Sequence, residues 1–301
     1  MTTSEIPFYK ERSIKGYMAD AWKMIALNWK DYLLTLTPFL LIVGIADALF
    51  FEFTLRYVCK QALPAYLFLS SDGDIKVAQW MATPNIGNAI YLTLSALFLI
   101  IGNLCLTAKL FATIRHYAAH NKMNTKHSLT LQKVDYQSIK CVFLSHFGFT
   151  LIAALFCCPF VILALKWKLW TLVFVPLIAI YAYAVCYLFT LKIGLYFTPF
   201  KQAIGYAFKH ALGHPFILLL LTCIPVAAIT IVCFLPQATY GLSSLAANKS
   251  AYMGDNIETS ALLTPLFFII NTISFSIIAL AKSYTTWCLA LKVEQKVASK
   301  D

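Results

Sequence analysis

The sequence predicts an all-α, polytopic membrane protein whose six transmembrane helices form three hairpins with cytoplasmic amphipathic lead-in helices. Three observations predict it. Of 301 residues, 60% are hydrophobic and only 12% charged, against about 45–50% and about 25% in soluble domains. The apolar residues gather into runs near the length of a bilayer crossing. The lysines and arginines collect between those runs.

The basic balance, a formal net charge of +11, raises nucleic acid as a partner. There is no Arg-rich tail, however, and the pattern fits orientation signals and contact with the anionic headgroups of membrane lipids, not nucleic-acid readout. Cysteine usage excludes a disulfide scaffold: Cys105, Cys157, Cys158, Cys186, Cys223 and Cys233 lie inside apolar runs, no CxxC occurs, and only Cys59 is expected to face outward.

The elements follow in order. Residues 13–29 place Ile14, Tyr17, Met18, Ala21, Trp22 and Ile25 on one helical stripe, with Lys15, Asp20 and Lys23 largely opposite, which reads as an interfacial helix. This charged leader lacks a small-residue cleavage pattern, so the first membrane helix is expected to be retained. The first span, 32–53, contains Pro38, Gly44, Asp47 and Glu52. Asp47 falls about 22 Å beyond Tyr32, near the far headgroup boundary. The polar connection 54–88 holds an apolar patch at 63–69, where a short external helix or a shallow re-entrant piece is expected.

The second span, 89–108, carries Asn103 and continues into a basic connection, 109–140, whose first part has a helical pattern. Spans three and four, 142–165 and 169–191, are separated only by KWKLW, which forces an antiparallel hairpin with Trp167 and Trp170 at the aromatic belt. Pro159 and Pro176 within them imply kinks. The stretch Tyr196–Pro236 runs a basic, aromatic, amphipathic segment through Gly213, His214 and Pro215 into the fifth span, 216–236, which Pro225 breaks. The sixth span, 262–282, follows a polar connection nearly free of lysine.

Charge orients these spans. The leader, 109–140, 192–209 and 282–300 hold five, six, three and four of the 24 Lys and Arg residues, and the three opposite segments hold three, two and one. By the positive-inside rule both termini are cytoplasmic, as expected for a multi-pass protein of a bacterial inner membrane.

A repeat is visible as well. Ala21-Trp22-Lys23 echoes Ala207-Phe208-Lys209, Ala26-Leu27 echoes Ala211-Leu212, and Pro38 echoes Pro225 after one gap. Both copies lead into the membrane from the same side, which favours parallel units. On the lead-ins at 16–38 and 203–225, the layout resembles the membrane domains attached to some glycerophosphodiester phosphodiesterases and their uncharacterised stand-alone relatives. The resemblance implies a six-span bacterial membrane fold. The phosphodiesterase barrel of that family is absent, so no active-site residue carries over.

The groups that bear on chemistry are few. His116 with His120, and His210 with His214, stand at i and i+4, the spacing of a two-histidine metal chelate. They resemble part of the histidine set of membrane di-iron desaturases and hydroxylases, but that family's HxxHH box is missing. Interfacial histidines beside Lys109, Arg115 and Lys209 are the plainer reading. Asp47, Asn103 and Asn271 mark a candidate polar path, with Glu52, His146 and Lys282 nearby; such groups are costly to desolvate. Asn271 with Ser274, and Thr272 with Ser276, give the sixth span a polar face that interhelical hydrogen bonding explains. No nucleotide, nucleophile-elbow or zincin motif occurs, and no cofactor is expected. The function expected is a non-enzymatic role in membrane organisation, assembly or transport support. A small secondary transporter or channel is the alternative, and a histidine-metal enzyme acting on lipids the third reading.

Overall fold

The computed structural model describes residues 8, 12–57, 65, 68, 74–83, 86–120, 139–144, 185–213, 227, 231 and 263–298. Among them helix accounts for 94% and no strand occurs, as the all-α reading expects. The principal helices in chain order are α1 (Ile14–Leu27), α2 (Trp29–Tyr57), α3 (Ile75–Ala82), α4 (Ile86–His120), α5 (Val185–Tyr196), α6 (Phe200–Gly213) and α7 (Leu263–Ala298).

Three helices are long and apolar enough to cross a membrane: Trp29–Thr54 within α2, the whole of α4, and Phe268–Leu291 within α7. They stand where spans one, two and six are expected. The spans expected at 142–165, 169–191 and 216–236 lie largely outside the described residues. Exposed apolar stripes mark the three helices: Ile86, Ile90, Leu94, Leu97 and Ile101 on α4, Leu266, Ile269, Ile273 and Ile277 on α7, and Leu34, Leu41 and Ile45 on α2. The spacings of three, four and seven residues keep each stripe on one face. Water would penalise such continuous apolar surface, whereas acyl chains accept it. The protein is embedded in a membrane.

Helix α4 runs twelve residues past the expected end of its span. Residues 109–120 contain neither Gly nor Pro, in keeping with the helical pattern read there, and packing sustains the helix: Leu110, Phe111, Ile114 and Tyr117 are buried on one side of it. In the connection 54–88 the structure describes α3 and, within the apolar patch, helical residues Ala65 and Phe68; the rest of the patch lies outside the described residues.

Helix α1 is closed at both ends by side chains. The Gly16 N–H donates to Ser13 Oγ at 3.2 Å, and Asn28 Nδ2 donates to the Met24 carbonyl at 2.9 Å while its own N–H reaches Ile25. Asn28 turns the chain, and its carbonyl already accepts from Tyr32 N in α2. The stripe expected on α1 is rotated. Tyr17, Ala21 and Met24 are buried, and Trp22 is 64% exposed. The small side chain of Ala21 permits close approach, and Trp22 leans edge-on against Tyr284 with its remaining surface outward.

The chain forms two compact units. The first takes residues from Met1–Pro38, Leu104–Ala227 and Ala281–Asp301, the second from Phe39–Asn103 and Ala228–Leu280. Trp287 is the centre of the first: fully buried, it meets Tyr32 and Tyr117 edge-on with ring centroids 6.5 and 5.5 Å away. Hydroxyl pairs surround it, Tyr32 with Ser283 and Tyr187 with Thr286. The second unit depends on small residues. A Cβ at Gly44 would collide with Ser276 Oγ and the Thr272 carbonyl, so only glycine lets α2 approach α7 there. Ser276 Oγ then donates to the Leu40 carbonyl at 3.2 Å or to that of Thr272 at 2.8 Å. Gly102 faces Ile42 and Val43, and Phe53 stacks on Tyr91 at 5.2 Å.

Two glycines give a controlled test. Gly44→Ala is expected to lower stability by about 1–3 kcal/mol through overpacking. Gly205→Ala, where a Cβ meets nothing within 4 Å, is expected to raise it by about 0.5–1 kcal/mol. Denaturant unfolding in detergent reads both. In the first unit Trp287→Ala is expected to cost about 3 kcal/mol or more by the same measurement.

Candidate functional site

In the first unit, charged and aromatic side chains meet where α5 ends and α6 begins. Helix α5 closes with the Phe197 N–H donating to the Ile193 carbonyl at 3.0 Å. Phe197 then adopts a φ of 51°, a left-handed conformation rare for a bulky residue. Thr198 and Pro199 lead into α6, whose first turn is closed by Gln202 and Ala203 donating to the Pro199 carbonyl. Pro199, standing just before the first helical residue, adds no N–H of its own to the orphan donors of this helix start.

Two cations hold this elbow. Arg115, from the end of α4, donates from Nη1 to the Gly194 carbonyl at 3.1 Å and covers the Phe197 ring at 4.6 Å. A cation at a helix C-terminus is favoured by the partial negative charge of the last carbonyls. Lys192 is only 8% exposed, and its Nζ lies 4.6 Å from the ring centroids of both Tyr196 and Tyr206. Tyr196 stands one turn along α5, and Tyr206 comes from α6, so one ammonium ties the two helices together. Phe189 meets Phe200 edge-on at 4.9 Å and closes the joint. Gly194 is required here because a Cβ would strike the Phe111 ring.

The echo between the lead-ins acquires a structural content. Ala21 and Ala207 are fully buried, Trp22 and Phe208 are exposed, and Lys23 and Lys209 are exposed. The three-residue pattern therefore has the same inside-outside arrangement in α1 and α6. Tyr284 Oη donates to the Met18 carbonyl at 3.0 Å and pins α1 to α7.

The other candidates are distributed as follows. His116 and His120 stack with centroids 4.4 Å apart and planes 23° from parallel, and His120 Nδ1 lies 3.1 Å from the His116 carbonyl oxygen. Ring lone pairs lie in the ring plane, so stacked imidazoles direct them side by side and not toward one ion. Among the described residues no group of three or more metal-binding side chains occurs. The side chains of His210, His214 and His146 lie outside the described residues.

Asp47, Asn103 and Asn271 all belong to the second unit, on α2, α4 and α7. Each stands within three residues of a close helix approach: Asp47 after Gly44, Asn103 after Gly102, Asn271 before Thr272. Asn271 is 2% exposed, whereas Asp47 and Asn103 are half-buried. Asn103 Nδ2 donates to the Leu99 carbonyl of its own helix at 3.0 Å. Glu52 and Lys282 are half-buried.

Sequence reasoning missed Lys192, Tyr196 and Tyr206 as a set. The i to i+4 spacing of Lys192 and Tyr196 was a readable signal, but Tyr206 joins them only through the turn at Phe197. The chain matches no family model, no curated protein and no solved structure.

The histidine geometry is testable. Purified protein equilibrated with zinc or iron and then desalted is expected to retain no stoichiometric metal that depends on His120. Metal analysis of wild type and His120→Ala reads the outcome.

Proposed function

We propose that the protein is a multi-pass component of a bacterial cytoplasmic membrane that organises lipid and protein at the inner interface, in membrane organisation, assembly or transport support. Both termini are cytoplasmic in this reading, and the spans form three hairpins. The observation that carries it is the paired lead-in helices. Both α1 and α6 bury a small-residue face and turn an aromatic residue and a lysine outward. Exposed Trp22, Leu27, Trp29, Phe200 and Phe208 suit the acyl boundary, and Lys15, Lys23, Lys30, Lys201 and Lys209 suit anionic headgroups. Asp20, the one acidic residue of α1, pairs with Arg12 at 2.7 Å and leaves the lysine face uniformly positive.

Reconstitution tests this. In vesicles of mixed zwitterionic and anionic phospholipid, the protein is expected to enrich labelled anionic lipid around itself, read as self-quenching of the label. Substituting Lys15, Lys23, Lys201 and Lys209 together by Gln is expected to remove most of that enrichment, since each basic residue near the surface contributes about 1 kcal/mol.

A transporter reading has one observation in its favour: buried Asn271 adjoins Thr272, whose Oγ1 is buried without a hydrogen-bond partner. It predicts solute flux in the same vesicles that Asp47→Asn or Asn271→Leu abolishes. The interfacial reading predicts no such flux, and its appearance would replace that reading.

A further inference from the structure

We infer that α1 and α6 each form a seat for one phospholipid whose headgroup carries two phosphodiesters joined by a glycerol, as in cardiolipin. The inference deepens the interfacial reading and rests on it, because both helices must lie among headgroups.

The first ground is a constellation that the two helices share beyond the three-residue echo. Lys15, Ala19, Trp22 and Lys23 of α1 stand in the same register as Lys201, Gly205, Phe208 and Lys209 of α6. All eight residues are exposed, whereas Tyr17 and Ala21 of α1, and Ala203 and Ala207 of α6, are buried. Positions i, i+4, i+7 and i+8 lie on one helical stripe, so each outward face reads lysine, small residue, aromatic, lysine. Core packing accounts for the buried alanines. It does not account for the repetition of the exposed positions.

Charge on these faces has one sign and is open to a ligand. Helix α6 contains no Asp or Glu. In α1 the one carboxylate, Asp20, accepts from Arg12 Nε at 2.7 Å, and that arginine side chain is only 2% exposed. Gly16 eases the approach, since a Cβ there would lie 3.3 Å from Arg12 Cβ. Among the described residues, the ammonium groups of Lys15, Lys23, Lys201 and Lys209 make no ion pair or hydrogen bond.

Spacing selects the ligand. The two lysines of each face are eight residues apart, a rise of about 12 Å. One phosphate would require both arms to lean inward, whereas two phosphates on a short bridge let each ammonium keep its own partner. The bridge then passes over the small residue midway. At Gly205 a Cβ would meet nothing within 4 Å, so that midpoint is open. Trp22 or Phe208, one residue before the second lysine, offers an acyl chain an exposed apolar neighbour. Only Asn28 separates α1 from α2, a helix apolar enough to cross the membrane.

Native mass spectrometry of the full chain tests the seats, after titration in detergent with cardiolipin or with phosphatidylglycerol at twice the molarity, so that lipid charge is equal. Two cardiolipins are expected to bind, preferred over phosphatidylglycerol by on the order of tenfold, because the second phosphate binds as a tethered group. Lys15→Gln with Lys23→Gln is expected to remove one cardiolipin and spare the other, and Lys201→Gln with Lys209→Gln to do the converse, at about fivefold per lysine. Gly205→Leu keeps every charge and is expected to weaken the α6 lipid severalfold without affecting phosphatidylglycerol. All of these positions are exposed, so none of the variants removes core packing. Equal binding of phosphatidylglycerol, or an unchanged response in Gly205→Leu, would overturn the seats and leave the interfacial role standing. Failure of both anionic lipids to bind in preference to phosphatidylcholine would remove the interfacial reading as well.

Discussion

The satisfaction of the last turn of α5 is the constraint on which the joint between α4, α5 and α6 depends. A helix that ends leaves its last carbonyls without intrahelical partners and with partial negative charge, which a cation meets well. Arg115 does so from α4, across 79 positions of sequence. Lys192 does a related task from within α5, its ammonium set between one tyrosine of its own helix and one of the next. The direction of α6 follows from these contacts, because Phe197, Tyr206 and Phe200 are each fixed by a partner on α4 or α5.

The surface helices express a simple economy of residue types. In α1 and α6 an alanine lets the helix backbone settle on its support, while the aromatic ring and the lysine that follow it are exposed. Trp22 shows why exposure matters more than hydrophobicity in this setting. A large indole buried under α1 would hold the helix away from Tyr284 and break the bond from its hydroxyl to Met18. Turned outward, the same indole keeps an edge on Tyr284 and leaves the rest exposed.

Packing in the two units uses different means. Around Trp287 the first unit is aromatic and hydroxyl-rich, with paired tyrosine, serine and threonine oxygens that are satisfied without water. In the second unit the helices approach closely at Gly44, where the lack of a side chain lets van der Waals contact replace the hydrophobic effect that lipid does not provide. The polar residues Asp47, Asn103 and Asn271 fall beside helix contacts at Gly44 and Gly102, where a polar group is most readily sheltered by a neighbouring helix.

Membrane embedding, the positions of α2, α4 and α7, and the start of α1 were legible in the sequence, because hydropathy, length and caps such as Ser13 act locally. The alanine, aromatic and lysine echo was legible for the same reason. Which stripe of α1 is buried was not, since Met24 and Trp22 are both apolar and only contact with α7 decides between them. The continuation of α4 to His120 depended on Phe111 and Tyr117 finding partners, and the stacking of His116 on His120 depended on rotamers. Most of all, the elbow was hidden: Arg115, Lys192 and Tyr206 are far apart or unremarkable in the chain. Only a left-handed turn at Phe197 and the close fit of Gly194 on Phe111 bring them to one place, because long-range packing, unlike hydropathy, is a property of the folded whole.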